Sequence, residues 1–251
     1  MPPLTLRRLL PTAEAAVDAA AAYAYPDAAP WVRANMVSSV DGAAAFSGRV
    51  GALTAPVDQR LLGLLRELAD VIVVGAGTIR AEGYGMVQVS PPLAEARRRH
   101  GQRPIPTFAV VSGRLDLDLT GRLFAEPATR PLLFTTARAP GERVAAAKQV
   151  ADVVVAEADR VEPTALLATL AYRGLTRVLC EGGPHLLAEF MSADALDELC
   201  LAIAPRWTSG TALRIASGPQ LPSPVPLRLA GLFEADGFLF TRYQRARDAP
   251  G

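Results

Sequence analysis

Val178-Leu179-Cys180-Glu181-Gly182-Gly183-Pro184-His185-Leu186-Leu187 is an apolar run that ends in an acid, followed by two glycines, a proline and a renewed apolar pattern. The pattern predicts a strand, a tight loop and a helix with Pro184 in its first turn, where a missing N–H costs nothing. The open N–H groups of such a helix start favour an anion. Glycines lack Cβ and let a phosphate approach the backbone closely. Glu181 stands directly before that site, where a bare phosphate loop has no use for a negative charge. The stretch therefore reads as a strand end that holds a phosphate-bearing ligand, with Glu181 turned to a second ligand.

The same grammar repeats upstream. Asp58 to Ala69 predicts a helix, with Leu61, Leu64, Leu65, Leu68 and Ala69 on one face. Val71-Ile72-Val73-Val74 follows as an all-apolar, β-branched run, the composition of a central strand buried on both faces. Further strands are predicted at Trp31–Val37, Thr107–Val111, Pro131–Thr135, Val153–Val155 and Arg177–Cys180, and further helices at Pro91–His100, Arg143–Val150 and Pro163–Tyr172. Tyr25 to Pro30 reads as a proline-bounded loop, Ala13 to Tyr25 as an amphipathic helix, and Arg97-Arg98-Arg99-His100 as a solvated helix end. The alternation indicates an α/β fold with a mostly parallel central sheet flanked by helices. Leu196–Ala204 and Phe238–Tyr243 lack a long helix between them and predict antiparallel C-terminal edge strands. No linker or repeat divides the chain, so residues 1–251 read as a single domain with a core at about 31–243.

Composition narrows the function. Half of the 251 residues are hydrophobic, ample for a core, and 26 basic residues nearly balance 25 acidic ones. That balance argues against nucleic acid or an anionic membrane as partner. Cys180 and Cys200 sit at ends of apolar runs and read as buried thiols in a reducing compartment. Two histidines and two cysteines form no metal-ligand spacing, and no Ser/His/Asp or Cys/His nucleophile set assembles. No apolar stretch reaches the length of a membrane span, and a cytoplasmic location is expected.

Candidate site residues gather where strands end. Gly75-Ala76-Gly77-Thr78 invites a dinucleotide fingerprint, but the third glycine position is Arg80. It reads as a plain turn or as a phosphate-facing one, with the Thr78 hydroxyl at the helix start. Ligands of open α/β sheets bind outside the carboxyl ends of parallel strands. Both glycine turns, the Ser112 turn and the loop after Asp41 would share that edge, and a dinucleotide is long enough to touch them all. Asp41, before Gly42, is either an Asp-Gly turn acid or a ligand-binding carboxylate beside the small-residue loop Ala43–Ala55. Glu82 is a solvated helix acid or faces the ligand. Arg66 snorkels from its helix or points to the same edge. His185 reads as a polar cap or phosphate contact.

Ser38-Ser39-Val40-Asp41-Gly42, Leu65-Arg66-Glu67-Leu68-Ala69-Asp70-Val71-Ile72-Val73-Val74-Gly75-Ala76-Gly77-Thr78 and Glu181-Gly182-Gly183-Pro184 match, in order and spacing, the reductase domain of the riboflavin-biosynthesis deaminase–reductase. The chain resembles that family most in its stand-alone actinobacterial form, from about Trp31 to Tyr243. The resemblance implies a dihydrofolate-reductase-like fold, NADPH as cofactor, usually a homodimer, and reduction of 5-amino-6-(5-phosphoribosylamino)uracil to the ribityl product. The companion deaminase needs an H-x-E and P-C-x-x-C zinc site, and this sequence has neither.

By resemblance, Val37, Thr78, Glu82 and the segment Gly183 to Glu189, including Pro184, His185, Leu186 and Leu187, fall at NADPH positions. Gly75, Gly77 and Gly182 complete the two turns. Ser112 falls near the adenosine end, with Arg114 beside it for the 2′-phosphate. Glu181 and Arg66 fall at substrate positions, and Asp41 is the turn acid at the pocket. Glu181, Asp41, Glu82 or a held water would deliver the proton that accompanies hydride transfer. The chain departs from the family at Asn35, where a lysine is common, at Ala52-Leu53-Thr54, and at Glu82-Gly83-Tyr84. These changes cluster on the substrate side. They leave two other readings: a dihydrofolate reductase acting on a pterin or folate, and a non-catalytic nucleotide-binding protein.

Overall fold

The structure is a computed structural model that describes residues 4–27, 30–85, 87–125 and 129–246. Residues 28 and 29 of the proline-bounded loop lie outside the described residues. The chain opens with β1 (Thr5–Leu10), β2 (Glu14–Asp18) and the short α1 (Ala19–Ala22). Then come β3 (Trp31–Ser39), α2 (Pro56–Leu68), β4 (Val71–Gly75), α3 (Ala76–Glu82), α4 (Pro91–Arg99) and β5 (Thr107–Val111). The middle of the chain is α5 (Arg122–Ala125), β6 (Leu132–Thr136), α6 (Gly141–Val150), β7 (Asp152–Ala156) and α7 (Pro163–Tyr172). It closes with β8 (Arg177–Cys180), α8 (Pro184–Ser192), β9 (Glu198–Ala204), β10 (Leu227–Ala235) and β11 (Phe238–Arg245).

One eleven-stranded sheet runs β2-β1-β10-β11-β9-β3-β8-β4-β5-β6-β7. From β9 to β7 every pairing is parallel, and from β9 through β11, β10 and β1 to β2 every pairing is antiparallel. The β-branched strand behaves as its composition demands. Val71, Ile72, Val73 and Val74 are all fully buried, with Ile72 and Val74 in one core layer and Val71 and Val73 in the other. The strand order also fixes the site. The chain leaves β3 for β4, runs outward through β5, β6 and β7, and returns to insert β8 between β3 and β4 before adding β9 on the far side of β3. Such a reversal opens a crevice at the carboxyl ends of the strands beside it.

Three expectations need correction. Residues 13–25 are not one amphipathic helix: Glu14–Asp18 is a strand paired with β1, and only Ala19–Ala22 is helical, capped by the Asp18 carboxylate on the Ala20 N–H. Alanine's helix propensity is a weak prior, and strand pairing overrides it here. The antiparallel side is likewise not purely C-terminal, because β2 and β1 form its outer edge and β10, unpredicted, lies inside it. Finally, Arg97 is not part of a solvated run. It is buried at 2% exposure and donates to the Glu67 and Arg103 carbonyls, while Arg98 and Arg99 face out. Cys180 and Cys200 are buried as expected, and burial pushes both thiols up to about 12.

Candidate active site

The two glycine turns meet at the crevice. The Gly75 N–H, at the end of β4, donates to the Gly182 carbonyl at 2.7 Å. A Cβ on Gly75 would stand 3.5 Å from both Gly182 O and Gly183 N, which is ordinary contact. Gly183 has no such room: a Cβ there would lie 2.8 Å from the Thr78 hydroxyl oxygen. Gly182 has φ +74°, and the Gly182–Gly183 peptide is cis. Gly183 is the N-cap of α8 and has no side chain to cap it, so the first-turn N–H groups of that helix face the crevice without a side-chain partner. Sequence had placed these turns on one edge, and the structure puts them in hydrogen-bond contact.

A groove runs along this edge in three joined chambers. The first, about 450 Å³, is lined by Gly75, Gly77, Thr78, Ser112, Arg114, Gly183, Pro184, His185 and Leu186. His185 donates from Nδ1 to the Ser217 carbonyl at 2.7 Å. Arg114 makes no hydrogen bond or ion pair with any described residue, whereas neighbouring Arg80 donates to the Asp116 carbonyl at 2.6 Å. The second chamber, about 710 Å³, shares Gly77, Thr78, Gly183 and Pro184 with the first and is roofed by residues 44–50 and 208–213. The third, about 360 Å³, shares Met36, Thr78, Glu82 and Glu181 with the second and is floored by α2, with Val37 on its wall. Two expected cofactor positions line none of these chambers: Gly182, whose carbonyl accepts the Gly75 N–H, and Leu187. Leu187 is fully buried in the core layer beneath α8, because it lies on the helix face opposite the crevice.

Glu181 is answered by two side chains. Arg66 grips it through Nε at 2.6 Å and Nη2 at 2.7 Å, and the Tyr84 hydroxyl donates to Oε2 at 2.6 Å. The Arg66 guanidinium also lies 5.1 Å from the centre of the Tyr84 ring. Burial, then the charge of Glu181, raises the Tyr84 phenol well above its ordinary value, so it stays protonated and keeps donating. Arg66 therefore does not simply snorkel into water. Its bidentate contact fixes the plane of the carboxylate at the wall shared by the second and third chambers.

Asp41 is held by its own neighbourhood. It lines none of the three chambers. Its carboxylate accepts bonds from the Ser39 hydroxyl and from the N–H groups of Thr208 and Ser209, and these bonds hold its pKa down at about 2. Two backbone bonds, Val40 N–H to Arg206 O and Ala44 N–H to Leu213 O, continue the seam. Asp41 thus ties the 208–213 segment, part of the second chamber's roof, to the end of β3. Replacing it with alanine is expected to speed amide hydrogen exchange at Thr208 and Ser209, while exchange in β4 and β8 stays unchanged. Glu82 accepts the Val50 N–H at 3.1 Å and lines the second and third chambers.

Sequence reasoning missed Tyr84, the 208–213 segment and Asp58. The last had a readable signal: Asp58, Leu62 and Arg66 are spaced i, i+4, i+8 and all three line the third chamber.

A crevice with an uncapped helix start at the reversal point of a mostly parallel sheet, beside a chamber with a fixed carboxylate, is where α/β enzymes place their ligands. Residues 30–237 match the model of the RibD C-terminal domain, and the chain belongs to that family. It is 34% identical over 182 residues to the 2,5-diamino-6-ribosylamino-4(3H)-pyrimidinone 5′-phosphate reductase of Archaeoglobus fulgidus, covering 72% of this chain and 83% of that protein. The reductase of the same name from Methanothermobacter thermautotrophicus is 29% identical over 181 residues, covering 72% of this chain and 80% of that protein. Among solved structures, a pyrimidine reductase-like protein from Corynebacterium diphtheriae superposes with a TM-score of 0.80 at 29% identity, covering 87% of this chain and 93% of that one. The chain is an oxidoreductase of the riboflavin-biosynthesis reductase class.

Proposed function

We propose that the protein is an NADPH-dependent reductase that converts the ribosyl group of 5-amino-6-(5-phosphoribosylamino)uracil into a ribityl group. The observation that carries this reading is the continuity of the groove: an anion-accepting cradle at one end opens directly onto a chamber walled by an oriented carboxylate. The cradle fits a dinucleotide phosphate, since a Cβ at Gly183 would fill the space beside Thr78. In this reading Gly75, Gly77, Thr78, Gly182, Gly183, Pro184, His185 and Leu186 surround the phosphates. Ser112 sits at the adenosine end, and Val37 and Glu82 border the nicotinamide side. When bound, NADPH supplies a hydride from nicotinamide C4. The protein's part is to hold the acceptor carbon in line, exclude water with the 44–50 and 208–213 segments, and present fixed dipoles. Glu181, oriented by Arg66 and Tyr84, accepts hydrogen bonds from donors on the substrate.

The Archaeoglobus relative is named for a pyrimidinone with an amino group where the uracil compound carries an oxo group. Both present the same ribosylamino phosphate, so the test uses both. NADPH oxidation is expected with at least one of them and not with dihydrofolate. Absence of turnover with both pyrimidines would refute the reading. Arg114, without a partner among the described residues, is the cation expected to meet the 2′-phosphate. Arg114→Ala is expected to weaken NADPH binding about tenfold, a loss of about 1.4 kcal/mol, and to leave NADH binding unchanged, as read by titration calorimetry. We further propose a cytoplasmic homodimer. Sedimentation at micromolar concentration is expected to give twice the 26.5 kDa chain mass.

A further inference from the structure

Reduction of the ribosyl carbon consumes a proton as well as a hydride, and the carboxylates that line the third chamber are Glu181, Glu82 and Asp58. Glu181 is held by Arg66 and Tyr84. Glu82 is exposed and accepts the Val50 N–H. Asp58 is different. It sits in the first turn of α2, is 7% exposed, and lines the third chamber. Its Oδ2 accepts the Thr54 hydroxyl at 2.6 Å, and no described cation pairs with it. Burial raises its carboxyl above the usual range, and the Thr54 bond holds it down only in part. The charged and titratable groups that share its chamber are Arg66, Glu82, Tyr84 and Glu181, and the one cation among them is committed to Glu181. Burial thus makes this carboxyl easier to protonate than an ordinary aspartate.

We propose that Asp58 is the acid of the reaction, giving its proton to the ribosyl ring oxygen as the bond from that oxygen to C1′ breaks. The inference rests on the substrate reading above. The new C1′–H bond is made with the hydride of NADPH, which is oxidised to NADP⁺. The electron pair of the broken C1′–O4′ bond stays on O4′, which takes the Asp58 proton and becomes a hydroxyl. Asp58 is left as a carboxylate and regains its proton from water entering the groove.

Three measurements test it. In Asp58→Asn, kcat is expected to fall about 100-fold or more, the range for loss of a general acid, with NADPH affinity unchanged. In the unaltered enzyme kcat falls as pH rises through the Asp58 pKa, and that limb is absent in Asp58→Asn. Carbon-13 titration of the ligand-free protein is expected to show one aspartate above the ordinary range. Its signal disappears in Asp58→Asn and shifts to still higher pH in Thr54→Val, where the carboxylate loses its donor. Undiminished kcat with an unchanged pH profile in Asp58→Asn, or an Asp58 that titrates in the ordinary range, would overturn the assignment. Failure of the unaltered protein to reduce either pyrimidine would remove the substrate reading, and the proton transfer with it. That outcome is distinct from unaltered turnover in the variant, which would remove Asp58 alone.

Discussion

Gly183→Val is expected to abolish NADPH binding while the protein remains folded. A Cβ at this position would come within 2.8 Å of the Thr78 hydroxyl oxygen, closer than any real Cβ contact. The clash falls at the junction of the first and second chambers, where Gly183 and Thr78 both line the walls. Relief must come from turning Thr78 or shifting the start of α8, and either change disturbs the cradle. The backbone itself permits a side chain, because Gly183 has a negative φ of −70°. Loss of binding therefore reports on the occupied space and not on backbone strain. Gly75→Ala is the informative contrast: its Cβ meets only ordinary contacts at 3.5 Å, and the variant is expected to bind NADPH far better than Gly183→Val. Calorimetric titration with circular dichroism as the folding control checks both.

Arg66→Met is expected to destabilise the protein by about 3 kcal/mol, the lower end of the range for breaking a buried ion pair from one side. The Glu181 side chain is 3% exposed and Arg66 23%, so removing the guanidinium strands a desolvated carboxylate. Tyr84 still donates one bond, which is why the lower end applies. The double variant Arg66→Met/Glu181→Gln removes the stranded charge and keeps an acceptor for Tyr84, so it is expected to recover much of the loss. Denaturant melts of the wild type, the two single variants and the double variant close that cycle. Equal losses in the Arg66 single variant and the double variant would show that packing of the arginine stem, not its charge, is what matters.

Much of the fold was readable because its central strands carry an unambiguous signal. Val71–Val74 is β-branched throughout because both of its faces meet core layers, and Val178, Leu179 and Cys180 in β8 divide between the same two layers. The N-terminal strands gave no such signal. Glu14–Asp18 is alanine-rich with one buried residue, Val17, and it is a strand because β1 offers it an edge. β10 was hidden for a related reason: its first three residues are exposed and its register slips between Leu229 and Gly231, so no clean alternation survives.

The candidate site was legible as a set of strand ends and largely illegible as a set of partnerships. Glycines 75, 77, 182 and 183 declare themselves through composition, and strand order then brings them together. The Arg66–Glu181 pair spans 115 positions, and only the insertion of β8 between β3 and β4 lets it form. Asp41 read equally well as a turn acid and as a ligand group, and its bonds to Thr208 and Ser209, 167 and 168 positions away, are a loop tie that no local spacing announces. Leu187 followed the cofactor motif in sequence but lies on the buried face of α8, a distinction that helical phase could have made from its neighbours Leu186 and Phe190.

The central claim is that one groove holds NADPH across both glycine turns and presents its nicotinamide to the chamber walled by Glu181. A crystal structure of the protein with NADPH tests it most directly. The account predicts the diphosphate at the start of α8, between Gly75–Thr78 and Gly183–Leu186, with Arg114 near the 2′-phosphate and the nicotinamide in the second chamber. A cofactor bound elsewhere, or lying in the first chamber with its nicotinamide turned away from Glu181, would contradict it.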